Sequence, residues 1–158
     1  MFRQFALRLS KKLIENGFLP FKGQRDVISD DTQIIYFYKS ESPILYVVSL
    51  TNPEDYSQCK STIQTFCSSL FENIKDINCS YLLSLNLIIG SAELEYELRK
   101  YYPEEKILNV DWLIDLSTNQ IKISEGAPHK ILNLNKLINE ALTGYEHIEH
   151  GSLTDMEQ

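Results

Sequence analysis

The chain has little of what several common kinds of site require. Its three cysteines, Cys59, Cys67 and Cys79, form an odd set without a C-x-x-C pair, which favours neither a disulfide framework nor a zinc knuckle. No histidine precedes His129, so no local base is available to activate a cysteine nucleophile. The sequence also contains no Gly-rich phosphate loop, no G-x-S-x-G elbow and no H-E-x-x-H helix. These absences predict a chain with no catalytic residues, no cofactor and no metal of its own.

Long apolar runs and excess positive charge are missing as well. The best candidate for a membrane span, Leu82 to Ile89, is far shorter than the roughly 18 residues that a bilayer requires. The N-terminal residues lack the apolar core of a signal peptide. We therefore expect a soluble domain on the cytoplasmic side. The formal net charge of −7 opposes nucleic acid as a partner, because such binding depends on Lys and Arg that neutralise phosphates.

The composition is that of one folded domain. The chain has 158 residues, of which 43% are hydrophobic and 23% charged, as in ordinary globular proteins. Residues 1–144 are predicted to form a single globular α/β domain. Residues 145–158 are polar and are predicted to be a flexible tail or linker.

Hydrophobic periodicity predicts the order helix, two strands, helix, strand, helix, two strands, helix. This order indicates an α/β (α+β) fold, with a mixed sheet of about five strands flanked by about four helices. Tyr81 to Ile89 is apolar on both faces and is therefore expected at the centre of the sheet. The other predicted elements are helices over 2–16, from Asn52, around 94–101 and from Leu134 to near Gly144, and strands over 33–38, 44–50, 110–116 and 120–124.

The first predicted helix is basic although the protein is acidic. Four basic residues, Arg3, Arg8, Lys11 and Lys12, precede its first acid, Glu15. A helix that lies on a membrane surface has this pattern. A helix docked on a sheet also shows Lys and Arg to water, and this second interpretation is favoured.

Two groups of residues are expected in the core. Cys59 and Cys67 share a stripe of the long helix with Phe66 and Leu70, which predicts buried, unreactive thiols. Trp112 lies opposite an alternating strand and is expected to anchor the core.

Two groups of residues could form metal sites, but the sequence pattern of each is a weak signal. His147 and His150 could share a helix face, but they fall in the predicted tail, so solvated histidines are expected. Asp111, Asp115 and Glu125 with Lys122 loosely resemble the acid-plus-lysine set of metal-dependent nucleases. The Glu-x-Lys spacing of those enzymes is missing from this hairpin, and a nuclease-like enzyme remains the alternative.

From Ile34 onward the pattern resembles the soluble N-terminal domain that precedes the membrane segments in some rhomboid-family intramembrane serine proteases of clostridia-like bacteria. The resemblance covers about two thirds of the chain. Its most specific stretch has Trp112 and Asp115, a polar turn, Ile121 and Ile123, and then Glu125-x-x-Pro128 before a leucine-patterned helix. It also includes IIYFYKSESPILYVVSL, the helix from Asn52 and YLLSLNLII.

The resemblance implies a fold similar to degenerate endonuclease-like domains. It also implies that the chain is the non-catalytic cytosolic accessory domain of a larger serine endopeptidase, whose nucleophile and histidine lie in covalently linked membrane segments. The expected partner is a protein or the protease substrate, with Asp115, Glu125 and Pro128 as candidate partner-facing residues. A free-standing cytosolic interaction protein is a further alternative.

Overall fold

A computed structural model describes residues 2–21, 34–52, 56–73, 79–90, 106–127, 131 and 133–151. Three helices and six strands lie in these segments. The helices are α1 (Phe2–Glu15), α2 (Tyr56–Asn73) and α3 (Leu134–Gly151). The strands are β1 (Leu19–Pro20), β2 (Ile34–Glu41), β3 (Ile44–Thr51), β4 (Tyr81–Gly90), β5 (Ile107–Asp115) and β6 (Gln120–Ile123).

The strands form one mixed sheet in the order β1-β2-β3-β4-β5-β6. β1, β2 and β3 pair antiparallel, β3, β4 and β5 pair parallel, and β6 returns antiparallel to β5. A parallel pair needs a crossover connection, and α2 supplies the crossover from β3 to β4. The predicted mixed sheet and both predicted hairpins are confirmed. The short strand β1 was not predicted.

Helices cover both faces of the sheet. Alternate residues of each strand point to opposite faces, and each face has its own apolar core. The α1/α3 face packs Phe37, Leu85, Val110 and Trp112 against α1 and α3. The α2 face packs Tyr36, Val47 and Leu82 against Ile63 and Cys67 of α2.

The central position predicted for β4 is confirmed, because every residue from Leu82 to Ile89 is buried. Trp112 is 1% exposed on the α1/α3 face, as expected of a core anchor. Its indole Nε1 donates a hydrogen bond of 2.6 Å to Oδ1 of Asn135, which ties β5 to α3.

The last helix ends later than the sequence predicts. α3 continues to Gly151, past Gly144, because a helical glycine costs only about 1 kcal/mol relative to alanine and neighbouring turns can carry it. The predicted helix around 94–101 and the tail residues 152–158 lie outside the described residues. Within the described part of the chain, no helix combines the length and apolarity that crossing a membrane requires.

Candidate functional site

A row of polar side chains crosses the α2 face of the sheet. The strand register places Tyr36 beside Ser49, Ser49 beside Asn86, and Asn86 beside Asp111. Ser124 follows β6 and continues the row, because its Oγ accepts a hydrogen bond of 2.8 Å from the backbone N–H of Asp111. All five residues are at most 2% exposed. The row therefore places five polar residues inside the protein, from β2 to just past β6.

Asn86 is the centre of this row. Its Oδ1 accepts hydrogen bonds from the hydroxyls of Ser49 and Ser84, at 3.0 and 3.1 Å. Its Nδ2 donates to Oδ1 of Asp111 at 3.1 Å and to the backbone oxygen of Ser84 at 3.3 Å. A side-chain amide can accept two hydrogen bonds and donate two, so Asn86 is fully satisfied. The amide holds the buried Asp111 carboxylate in place with a neutral donor.

Tyr36 differs from the rest of the row. Its ring stacks on Phe66 of α2, with 4.0 Å between ring centroids, but its buried hydroxyl has no hydrogen-bond partner in the described part of the chain. Burial raises the pKa of the Tyr36 phenol, and the nearby Cys67 and Cys59 thiols raise it further. The phenol therefore stays protonated at physiological pH.

Both cysteines of α2 are buried, as predicted, and neither forms a disulfide. The Cys67 thiol lies 3.6 Å from Oγ of Ser84, and the Thr51 hydroxyl lies 3.5 Å from Sγ of Cys59. These contacts connect α2 to β4 and β3. Burial among apolar and hydroxyl groups disfavours the thiolate, which is the nucleophilic form of cysteine.

Asp115, the first candidate partner-facing residue, stands at the end of β5 and organises the turn that follows. Its Oδ1 accepts hydrogen bonds from the backbone N–H of Ser117 at 2.9 Å and from the Ser117 hydroxyl at 2.6 Å. Hydrogen bonds from Ser117 and Thr118 hold the pKa of the Asp115 carboxyl below its ordinary value. Asp115 is therefore ionised at neutral pH and stabilises the β5–β6 turn.

The other two candidate partner-facing residues are Glu125 and Pro128, and neither is placed at the β5–β6 turn. Glu125 is exposed in the turn after β6, at the opposite end of that strand from Asp115, which pairs with Gln120. At about 3.3 Å per residue, the two acids are roughly 15 Å apart. Pro128 lies outside the described residues. The structure thus separates Asp115 from Glu125 by the length of β6.

The acid-plus-lysine set of the nuclease alternative does not meet at one point. Asp111 and Asp115 share a face of β5 but are about 13 Å apart along the strand. Lys122 lies opposite Leu113, between them, and is exposed whereas Asp111 is 0% exposed. In the strands that the structure describes, no Glu-x-Lys occurs. Among the described residues, no three Asp, Glu, Cys or His side chains form a metal-binding group.

Sequence reasoning did not identify the polar row. Ser84 and Asn86 occupy alternate positions of an otherwise apolar strand, and alternate positions face the same side. A pair of polar residues inside a run buried on both faces indicates a hydrogen-bonded network, because unsatisfied buried polar groups are costly. Their partners on β3 and β5 become visible only once the register is known.

Comparisons with known proteins provide no relative from which a role could be transferred. No protein-family model, curated protein or solved structure matches this chain.

Proposed function

We propose that this chain is a non-catalytic cytosolic accessory domain of a rhomboid-family intramembrane serine protease, and that it engages a protein partner or the protease substrate. The rhomboid part of the proposal rests on the sequence pattern from Ile34 to the last helix. The engagement part rests on the outer edge of β6, with Glu125 just past one end of that strand.

The outer edge of β6 is the observation that supports engagement. β6 is the last strand of the sheet in the described part of the chain, so its outer edge offers backbone N–H and C=O groups to another chain. Extended segments commonly bind by adding a strand to such an edge. A segment added to this edge would lie next to the exposed Lys122 and near Glu125, just past one end of β6, whereas Asp115 is on β5, across β6 from the edge.

The position of the buried polar groups agrees with a role that is not catalytic. Asp111 is hydrogen-bonded inside the sheet by Asn86, and Asp115 is engaged by its own turn. Both acids contribute to the fold. Asp111 is 0% exposed, so of the two only Asp115 adds charge to the surface, at the end of the β5–β6 hairpin.

The reading frame of the gene tests the rhomboid assignment. We expect it to continue past Gln158 into several apolar segments of about 20 residues, one carrying a Gly-x-Ser motif and another a histidine. A frame without such segments would overturn the assignment and favour the free-standing interaction protein.

Substrate cleavage by the full-length protein tests the engagement. A double variant, Lys122→Glu with Glu125→Ala, should reduce cleavage of the natural membrane substrate. The same double variant should leave cleavage of a generic transmembrane peptide in detergent unchanged, because the active site in the membrane segments is intact. Lys136→Gln, an exposed change on α3, is the matched control. Equal loss on both substrates would contradict an accessory role.

Hydrolysis by residues 1–158 alone tests the nuclease alternative. The purified domain should leave casein and plasmid DNA intact in the presence of Mg²⁺ or Mn²⁺. Turnover that survives repurification and disappears in Asp115→Ala would contradict the proposal and favour an enzyme.

A further inference from the structure

The outer face of α1 combines exposed apolar and basic side chains. Leu7 is 65% exposed and Ile14 51% exposed, and Arg3 and Lys11 are exposed beside them. At 100° per residue these four positions fall within about 80° of the helix circumference. We call them the outer stripe of α1. The opposite side of the helix is its buried side, formed by Phe5, Ala6, Leu9 and Leu13.

The four basic residues of α1 have two different roles. Arg8 donates from Nε to the backbone oxygen of Ala141 at 2.9 Å, and Lys12 pairs with Glu140 at 3.3 Å. These two residues attach α1 to α3. Arg3 and Lys11 lie on the outer stripe and have no ion-pair partner within the described residues. Packing of α1 against α3 therefore accounts for Arg8 and Lys12 and leaves Arg3 and Lys11 unexplained.

The packing of α1 against the rest of the protein also leaves the exposed Leu7 and Ile14 unexplained. Scattered exposed apolar side chains are common on protein surfaces. Here, however, Leu7 and Ile14 lie two helical turns apart on one line, with Arg3 and Lys11 next to them. Apolar residues flanked by basic ones on a single helix face are the pattern of helices that lie in a membrane interface.

We infer that the outer stripe of α1 binds the surface of an anionic lipid bilayer. Leu7 and Ile14 enter the boundary between headgroups and acyl chains, while Arg3 and Lys11 contact lipid phosphates. The local charge of α1 favours an anionic surface, because α1 carries four basic residues and one acid, although the whole chain has a net charge of −7.

This inference stands on α1 and does not depend on the proposed function. The proposed protein partner engages β6, whose Lys122 lies on the α2 face, whereas α1 covers the other face. The membrane contact and the partner engagement can therefore be contradicted independently of each other. A contact with two apolar and two basic residues is weak and reversible.

Co-sedimentation with vesicles tests the inference. Residues 1–158 should bind vesicles of equal parts phosphatidylglycerol and phosphatidylcholine at low ionic strength. Binding should weaken as salt rises, because exposed charges are screened, and should be much weaker on phosphatidylcholine alone. Lys11→Gln should lower the partition coefficient roughly fivefold, and Leu7→Gln about tenfold. Lys122→Gln, on the other face, is the matched control and should change it no more than about twofold, as a long-range charge effect.

A fluorescent reporter locates the contact. Leu7→Trp places an indole on the outer stripe, whereas the native Trp112 is buried and reports folding. Emission of Leu7→Trp should shift to the blue on anionic vesicles, and emission of Lys122→Trp should not. The inference is overturned if folded protein does not bind anionic vesicles, if Lys11→Gln and Lys122→Gln weaken binding equally, or if only an acidic polypeptide such as polyglutamate binds the stripe.

Discussion

The side-chain amide of Asn86 donates a hydrogen bond of 3.1 Å to the carboxylate of Asp111, across two parallel strands and away from water. Asn86 also receives the hydroxyls of Ser49 and Ser84. One amide therefore satisfies polar groups on three neighbouring strands.

Replacing Asn86 should destabilise the protein more than its size suggests. Asn86→Leu leaves the Asp111 carboxylate and two hydroxyls without this partner, and we expect a loss of roughly 3 kcal/mol in the free energy of unfolding. Urea-induced unfolding of the variant and the parent measures this loss. Asn139→Leu, on the exposed side of α3, is the control and should change stability by less than about 0.5 kcal/mol. Equal melting of Asn86→Leu and the parent would show that the row contributes nothing.

Removing the hydroxyl of Tyr36 should stabilise the fold. This group is buried without a partner in the described residues, and an unsatisfied buried hydroxyl costs about 1–3 kcal/mol. Tyr36→Phe keeps the ring on Phe66 and should raise the midpoint of urea unfolding. A clear loss of stability would show that the hydroxyl has a partner, such as an internal water.

Trp112 should be one of the most costly residues to truncate. It is fully buried and hydrogen-bonded to Asn135, so Trp112→Ala should cost about 3–5 kcal/mol. Trp112→Phe keeps much of the apolar contact and should cost clearly less. If Trp112→Ala melts like the parent, Trp112 is exposed and becomes a candidate for partner binding.

The three thiols should react in a fixed order. Cys79 is half-buried, while Cys59 and Cys67 are 0% exposed. In native protein a thiol reagent should modify Cys79 first, and a Cys79→Ser variant should react only as fast as the protein unfolds. Rapid labelling of that variant would show that α2 does not bury Cys59 and Cys67 against the sheet.

The contribution of Asp115 should depend on pH. Hydrogen bonds from Ser117 and Thr118 lower the pKa of its carboxyl below 3.8, the ordinary value. The folded state then binds fewer protons than the unfolded state, so the stabilisation is present above 3.8 and is lost as the pH falls through the folded pKa. Asp115→Ala should therefore be less stable than the parent at neutral pH. Urea melts at decreasing pH should show this deficit disappearing in acid. Glu125→Ala, which removes an exposed acid, should show no such deficit at neutral pH.

The sequence by itself determined the order of the described helices and strands other than β1, the central place of β4 and the burial of Trp112, Cys59 and Cys67. These follow from local periodicity, which records whether one or both faces of a segment are buried. The short strand β1 escaped prediction because two residues carry no periodicity. The end of α3 was misplaced because a single glycine is a weak helix terminator.

Only the tertiary structure decided which polar residues meet. Asn86 and Asp111 become neighbours through the parallel register of β4 and β5, and a shift of one residue would turn each to the other face. The antiparallel pairing of β5 with β6 separates Asp115 from Glu125, although the sequence grouped them. The outer stripe of α1 was decided in the same way, because contacts with α3 use Arg8 and Lys12 and leave Arg3 and Lys11 on the surface. Local pattern sets which faces are buried, and packing between distant segments sets which side chains remain for function.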